Sequence, residues 1–143
     1  MTEKKLEVEI QVIIHATEDP QRIFDSFTQV FNLEKDDFSV QKLQGHYDNP
    51  IVLLNGKIKK KKATIFVNSL ISNIPKKDID EIIDELDSRC DGSGLYIRIS
   101  KQSLVEGKVK PAAEDPIKIR VYTPVYSQKD ILKTYSEILT STI

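Results

Sequence analysis

The chain has 143 residues, 39% of them apolar and 30% charged, with a net charge of −1 and an isoelectric point near 6.1. This is the length and composition of one soluble domain, residues 1–143, able to bury roughly two thirds of its surface, and its near-neutral charge excludes a protein that holds polyanions by bulk electrostatics alone. The longest aliphatic runs, Val12 to Ile14 and Ile51 to Leu54, are far too short to span a bilayer, and the start MTEKK carries no leader pattern. Cys90 is the only cysteine, which excludes an internal disulfide and a cysteine-based zinc cage. The expected compartment is the cytoplasm.

In chain order, Leu6, Val8, Ile10, Val12 and Ile14 alternate with Glu7, Glu9, Gln11, Ile13 and His15. A period of two places the first set on one sheet face and the second on the other, so this is a strand with five inward aliphatic residues. Thr17 or Asp19 can cap the helix that follows, with Pro20 in its first turn and Ile23, Phe24, Phe27, Val30 and Phe31 on one stripe. Phe38 to Gly45 and Ile51 to Leu54 read as two strands around the turn His46-Tyr47-Asp48-Asn49-Pro50, with Asn55-Gly56 closing the second. From Lys60 the period becomes helical, through Ala63, Phe66, Val67, Leu70, Ile71 and Ile74, until Pro75. Ile79, Ile82, Ile83, Leu86 and Cys90 continue that spacing in a second helix that stops at Asp91-Gly92.

The stretch Asp91 to Gly107 follows as a glycine-rich turn, a strand and a short polar turn or helix. In it Leu95, Ile97 and Ile99 alternate with Tyr96, Arg98 and Ser100. Burying those three aliphatic side chains is worth roughly 5–9 kcal/mol before the entropy of ordering them, enough to anchor a small domain. Val105 to Pro116 reads as a loop, Ile117 to Tyr122 as a strand with the same outward chemistry, and the last helix runs from about Ser127 through Ile131, Leu132, Tyr135, Ile138 and Leu139. About five cleanly alternating strands and four helices predict an α+β fold: a two-layer α/β sandwich, its sheet mainly antiparallel, with helices on one face.

Several residue sets are candidates for chemistry. If the strands Leu95–Ile99 and Ile117–Tyr122 are neighbours, Tyr96, Arg98, Lys118, Arg120 and Tyr122, with Lys101 beyond, share one face. Rings there can stack on bases and guanidinium groups can pair with phosphates. The plain alternative is a solvated face whose residues pair across strands with Glu7, Glu9 and Gln11. Lys57, Lys59, Lys60, Lys61 and Lys62 can contact phosphates without reading sequence, or serve as a solvated helix start or as a partner for the acidic helix. His46 and Tyr47, in the turn before Asn49 and Pro50, offer a histidine beside a carboxylate, although Asp48, Asn49 and Pro50 suit a structural turn. Asp80, Asp84, Asp87 and Asp91 form a carboxylate stripe that reads as a solvated helix face, and Cys90 reads as core. No catalytic residue, metal site or cofactor is expected, since neither histidine pairs with a nucleophile and no phosphate-binding glycine loop is present.

Five segments taken together, His15-Ala-Thr-Glu-Asp19, Gly45-His-Tyr-Asp-Asn-Pro-Ile51, Ser88-Arg-Cys-Asp-Gly92, Leu95-Tyr-Ile-Arg98 with Lys101-Gln102, and Asp115-Pro-Ile117, resemble an archaeal family described as a predicted exosome subunit or RNA-binding protein. The resemblance runs from about Glu9 to Tyr122 and implies a fold similar to large-subunit ribosomal protein five. It implies RNA as the partner, with exosome or ribosomal proteins as the surrounding machinery. The expectation is therefore a non-enzymatic RNA-binding accessory protein for RNA processing or translation. The competing expectation is a protein-interaction subunit that docks through a sheet edge or its tyrosine-rich face, without nucleic acid.

Overall fold

A computed structural model describes residues 5–44, 49–125 and 127–140. Its centre is an open six-stranded antiparallel sheet in the order β2-β3-β1-β6-β5-β4. The strands are β1 (Glu7–Ile14), β2 (Phe38–Gln44), β3 (Pro50–Lys59), β4 (Cys90–Asp91), β5 (Gly94–Ile99) and β6 (Ile117–Tyr122). The helices are α1 (Pro20–Phe31), α2 (Lys60–Asn73), α3 (Lys76–Asp84), α4 (Leu86–Arg89), α5 (Lys101–Val105) and α6 (Ile131–Thr140). Their apolar faces join the inward sheet residues in one core, so the two-layer α/β sandwich expected from the alternation is the fold.

Alternation decides which way each strand faces. Val8, Ile10, Val12 and Ile14 of β1 are buried beside Ile117, Ile119 and Val121 of β6 and Leu95, Ile97 and Ile99 of β5. Opposite them, Phe27, Phe31 and Phe66 fill the helix layer, with the Phe31 and Phe66 ring centroids 4.7 Å apart. Asp19 caps α1 by accepting the Gln21 amide at 2.9 Å, with Pro20 opening the helix. At the other end of the core, the Tyr135 hydroxyl of α6 lies 3.5 Å from the Thr123 carbonyl just after β6, and burial raises its pKa.

Two sequence boundaries move. Asn55-Gly56 does not close β3, which runs on to Lys59. A Cβ at position 56 would stand 2.9 Å from Cε1 of Phe38, so the glycine admits that ring beside the strand instead of making a turn. The second predicted helix does not reach Asp91 either. Glu85 has φ −102° and ψ 17°, which ends α3, and Cys90 and Asp91 become strand β4. The acidic stripe is thereby divided: Asp80 and Asp84 lie on α3, Asp87 on α4, and Asp91 accepts the Ser93 amide in a turn. Cys90 is half-buried against the core, and burial together with Asp91 and Asp87 raises its thiol pKa.

Gly94 is required at the β4–β5 turn. Its φ is +139°, and a Cβ there would lie 2.8 Å from the Val121 carbonyl oxygen and 3.0 Å from Cγ of Arg120. No described helix is long and apolar enough to cross a membrane. Within α2, Phe66→Ala should cost about 3–5 kcal/mol, the usual loss for an aromatic core residue. Its neighbour Ile65, which faces solvent, should change stability by under about 0.5 kcal/mol when truncated to Ala. Urea unfolding of the two variants checks the assignment of that helix face.

Candidate functional site

The outer face of the sheet carries six of the predicted binding residues, Lys59, Tyr96, Arg98, Lys118, Arg120 and Tyr122, and strand register arranges them in rows. Glu7 stands between Lys59 of β3 and Tyr122 of β6. One step along, Glu9 stands between Lys57 and Arg120, and Arg120 is opposite Tyr96 of β5. The third row reads Asn55, Gln11, Lys118 and Arg98 across four strands. The pairing of β5 with β6 is the one the alternation suggests, and it brings Tyr96, Arg98, Lys118, Arg120 and Tyr122 onto a single surface. That surface holds five cations, Lys57, Lys59, Arg98, Lys118 and Arg120, against Glu7 and Glu9. Asp91 of β4, paired with Gly94, lies on the same side, so the net charge of the surface is +2 on a chain of net −1.

The cations differ in what they are free to do. Arg120 donates from Nη2 to Glu9 at 2.7 Å and from Nη1 to the Ser93 carbonyl at 2.6 Å, and its guanidinium lies 5.8 Å from the Tyr122 ring centroid. It is held in place by these contacts, as a cross-strand pairing role would have it. Lys57 and Lys59 make long, exposed pairs to Glu9 and Glu7 at 3.8 and 4.0 Å, which are weak in water. Arg98 and Lys118 are exposed and have no ion-pair partner among the described residues. They border a shallow depression of about 230 Å³ whose walls include Tyr96, Gln11 and Asn55. Tyr96 is 41% exposed and has no partner ring among the described residues.

The lysine tract is split. Lys57 and Lys59 belong to the sheet face because β3 is longer than the sequence suggests. Lys60, Lys61 and Lys62 open α2, where Lys62 pairs with Asp37 at 2.6 Å. Lys60 has φ 58° and its amide donates to the Leu6 carbonyl at 3.1 Å, which fixes the junction against the start of β1. Lys59 and Arg98 stand three strands and four residue steps apart, roughly 19 Å at ordinary strand spacing. The tract and the sheet arginine therefore occupy opposite corners and do not converge. Asn49 is exposed and Pro50 begins β3 opposite Gln44, while His46 and Tyr47 lie outside the described residues.

Lys101 is not on this face. Ser100 caps α5 by accepting the Ser103 amide, and the first turn swings Lys101 inward to 6% exposure. Its ammonium donates to the Ile13 carbonyl at 2.7 Å, Glu18 at 2.9 Å and Asp115 at 2.8 Å. Glu18 also accepts the His15 amide at 2.8 Å, and Asp115 lies 3.1 Å from Nε2 of His15. Burial alone would raise the Asp115 pKa, but the hydrogen bonds from Lys101 and His15 outweigh it and hold the carboxyl below its usual value. His15, Glu18 and Asp115 are near enough together to ligate an ion. The Lys101 ammonium already supplies a positive charge to Glu18 and Asp115, so the cluster is an ion network, exposed at His15 and Asp115, that joins β1, α5 and the loop before β6. Three of the five segments behind the family resemblance meet there.

Residues 7–123 match the family model described as RNA binding, and the chain belongs to that family. An RNA-binding protein of Pyrococcus abyssi is 30% identical over 129 residues, covering 85% of this chain and 84% of the relative. A crystal structure of a protein from Archaeglobus fulgidus superposes with a TM-score of 0.80 at 26% identity, over 94% of this chain and 99% of that one. One from Sulfolobus solfataricus gives 0.74 at 27% identity over 96% and 99%.

The Lys101 network yields its own expectation. Lys101→Met should destabilise the fold by about 2–3 kcal/mol, the loss of charged hydrogen bonds moderated by solvent access to the carboxylates. Because the Asp115 pKa is lowered on folding, its stabilisation is present above its ordinary value near 3.8 and disappears as pH falls through the lower folded value. Asp115→Asn should therefore flatten the fall in stability below about pH 4, as followed by urea unfolding at successive acid pH values.

Proposed function

We propose that this protein binds RNA through the outer face of its sheet, and that it acts by binding, without a chemical step of its own. The observation that carries the proposal is the placement of Arg98 and Lys118. Neither has an ion-pair partner among the described residues, both flank one depression, and the exposed Tyr96 ring stands beside them. Guanidinium and ammonium groups without partners are available to phosphate oxygens, and an exposed ring is available to a base face. Arg120 then serves as a positioning residue: its contacts with Glu9, Ser93 and Tyr122 hold the row in shape.

Charge on the opposite layer favours the same surface. Asp80, Glu81, Asp84, Glu85 and Asp87 are exposed on α3, on α4 and at the Glu85 break between them. That carboxylate surface repels phosphate, which favours approach from the sheet side. Membership of the RNA-binding family and the likeness to the Pyrococcus abyssi protein support the reading. The resemblance to predicted exosome subunits makes RNA processing or translation the setting we propose, with the ribosomal-protein-five likeness of the fold part of the same proposal.

A second reading has one observation in its favour. β2 is an edge strand, six of its seven residues are exposed, and Val40 and Leu43 are among them. Such an edge can add a strand from another protein. The two readings separate in one experiment. Arg98→Ala with Lys118→Ala should weaken RNA binding and lower the magnitude of the salt slope by between about 1.4 and 1.8, the contribution of two phosphate contacts. Fluorescence anisotropy across a salt series measures this, with circular dichroism to confirm the fold. An unchanged slope would move the RNA site elsewhere, and salt-insensitive or absent binding by the parent would favour the protein-docking edge.

A further inference from the structure

We infer that the RNA taken by this face is single-stranded, held as a few unstacked nucleotides and not as a duplex. The inference rests on the RNA reading above and adds the class of ligand. It is carried by the third row of the sheet face, where Asn55, Gln11, Lys118 and Arg98 lie side by side on β3, β1, β6 and β5. Two amides are followed by two cations, across roughly 14 Å of sheet. All four, with Tyr96, line the same depression.

The chemistry of that row is not what a duplex needs. The Asn55 and Gln11 side chains are exposed and make no hydrogen bond among the described residues. Each offers donors and an acceptor from one planar group, which matches the hydrogen-bonding edge of a nucleobase better than it matches a phosphate. An exposed ring likewise gains a partner only from a base whose face is free. In an A-form helix the base faces are stacked, the Watson–Crick edges are paired, and the major groove is too deep and narrow for side chains. A duplex could thus use Arg98 and Lys118 while leaving Tyr96, Gln11 and Asn55 unpaired.

Charge places a second restriction on the ligand. Glu7 and Glu9 stand in the two rows beside the amides, between the free cations and the lysines of β3. A rigid duplex laid from one basic corner to the other brings phosphates over these carboxylates, which opposes the gain at either end. A single strand can turn its backbone toward Arg98 and Lys118 and its bases toward the ring and amides. The cation pair, the exposed ring and the amide pair are then all used by one short segment.

The test compares a labelled 12-nucleotide RNA without self-structure and a 12-base-pair duplex containing the same sequence, each titrated with the full chain at the same salt by fluorescence anisotropy. The single strand should bind at least tenfold more tightly. Tyr96→Leu, which keeps apolar bulk but removes the ring, should weaken single-strand binding roughly fivefold or more while leaving the duplex affinity unchanged. Tyr96→Phe should retain single-strand binding. Replacing Gln11 and Asn55 together by Ala should alter the preference between oligouridine and oligoadenine without changing the salt slope. Equal or tighter duplex binding, or single-strand affinity indifferent to Tyr96→Leu, overturns the inference while leaving RNA binding itself in place. If neither RNA binds in a salt-sensitive way, the sheet-face reading and this inference both fall.

Discussion

The register of β1 is the constraint on which the rest of the molecule depends. This strand is paired on both sides, to β3 and β6, and all four of its even-numbered residues are buried. A slip by one residue would send Val8, Ile10, Val12 and Ile14 to solvent and Glu7, Glu9 and Gln11 into the core. The same register sets Glu9 against Arg120 and Gln11 against Lys118, so burial of the aliphatic residues also decides which cations are neutralised. Hydrophobic packing on one face thereby fixes the electrostatic pattern on the other.

That pattern separates cations engaged within the fold from cations left exposed. Arg120 and Lys101 are both cations near the sheet, yet their charged hydrogen bonds are directed inward, to Glu9 and Ser93 in one case and to Ile13, Glu18 and Asp115 in the other. Arg98 and Lys118 have no such partners among the described residues. The Lys101 network lies where β1 leaves the sheet and the loop before β6 enters it, so it secures the ends of the two strands that present Gln11 and Lys118. Asp115 takes part with φ 44°, a conformation that an aspartate tolerates better than most residues.

Local pattern made much of this architecture legible. Alternation in Leu6 to Ile14, Leu95 to Ile99 and Ile117 to Tyr122 gave the strands, their inward faces and the plausible pairing of the last two. The sequence pattern was misleading where one residue type has two uses. Asn55-Gly56 has the composition of a turn, but Gly56 is there to admit the ring of Phe38, its partner on the neighbouring strand 18 residues earlier in the chain. Lys101 follows an outward-looking row, and its burial depends on the Ile13 carbonyl 88 positions distant. Which of Arg98 and Arg120 is free was equally hidden, because Glu9 and Ser93 reach Arg120 only through the fold. Gln11 and Asn55 drew no notice as site residues, since isolated amides carry no pattern until register places them side by side.

On the proposed reading, nucleic acid meets the outer sheet face and avoids the acidic surface of α3 and α4. Backbone-amide NMR of the isotope-labelled chain, titrated with an unstructured RNA, tests this most directly. The account predicts perturbations centred on Gln11, Asn55, Tyr96, Arg98 and Lys118 that fade as salt is raised, with α3 and α4 unmoved. Perturbations centred on the helices, with the β1, β5 and β6 amides silent, would contradict it.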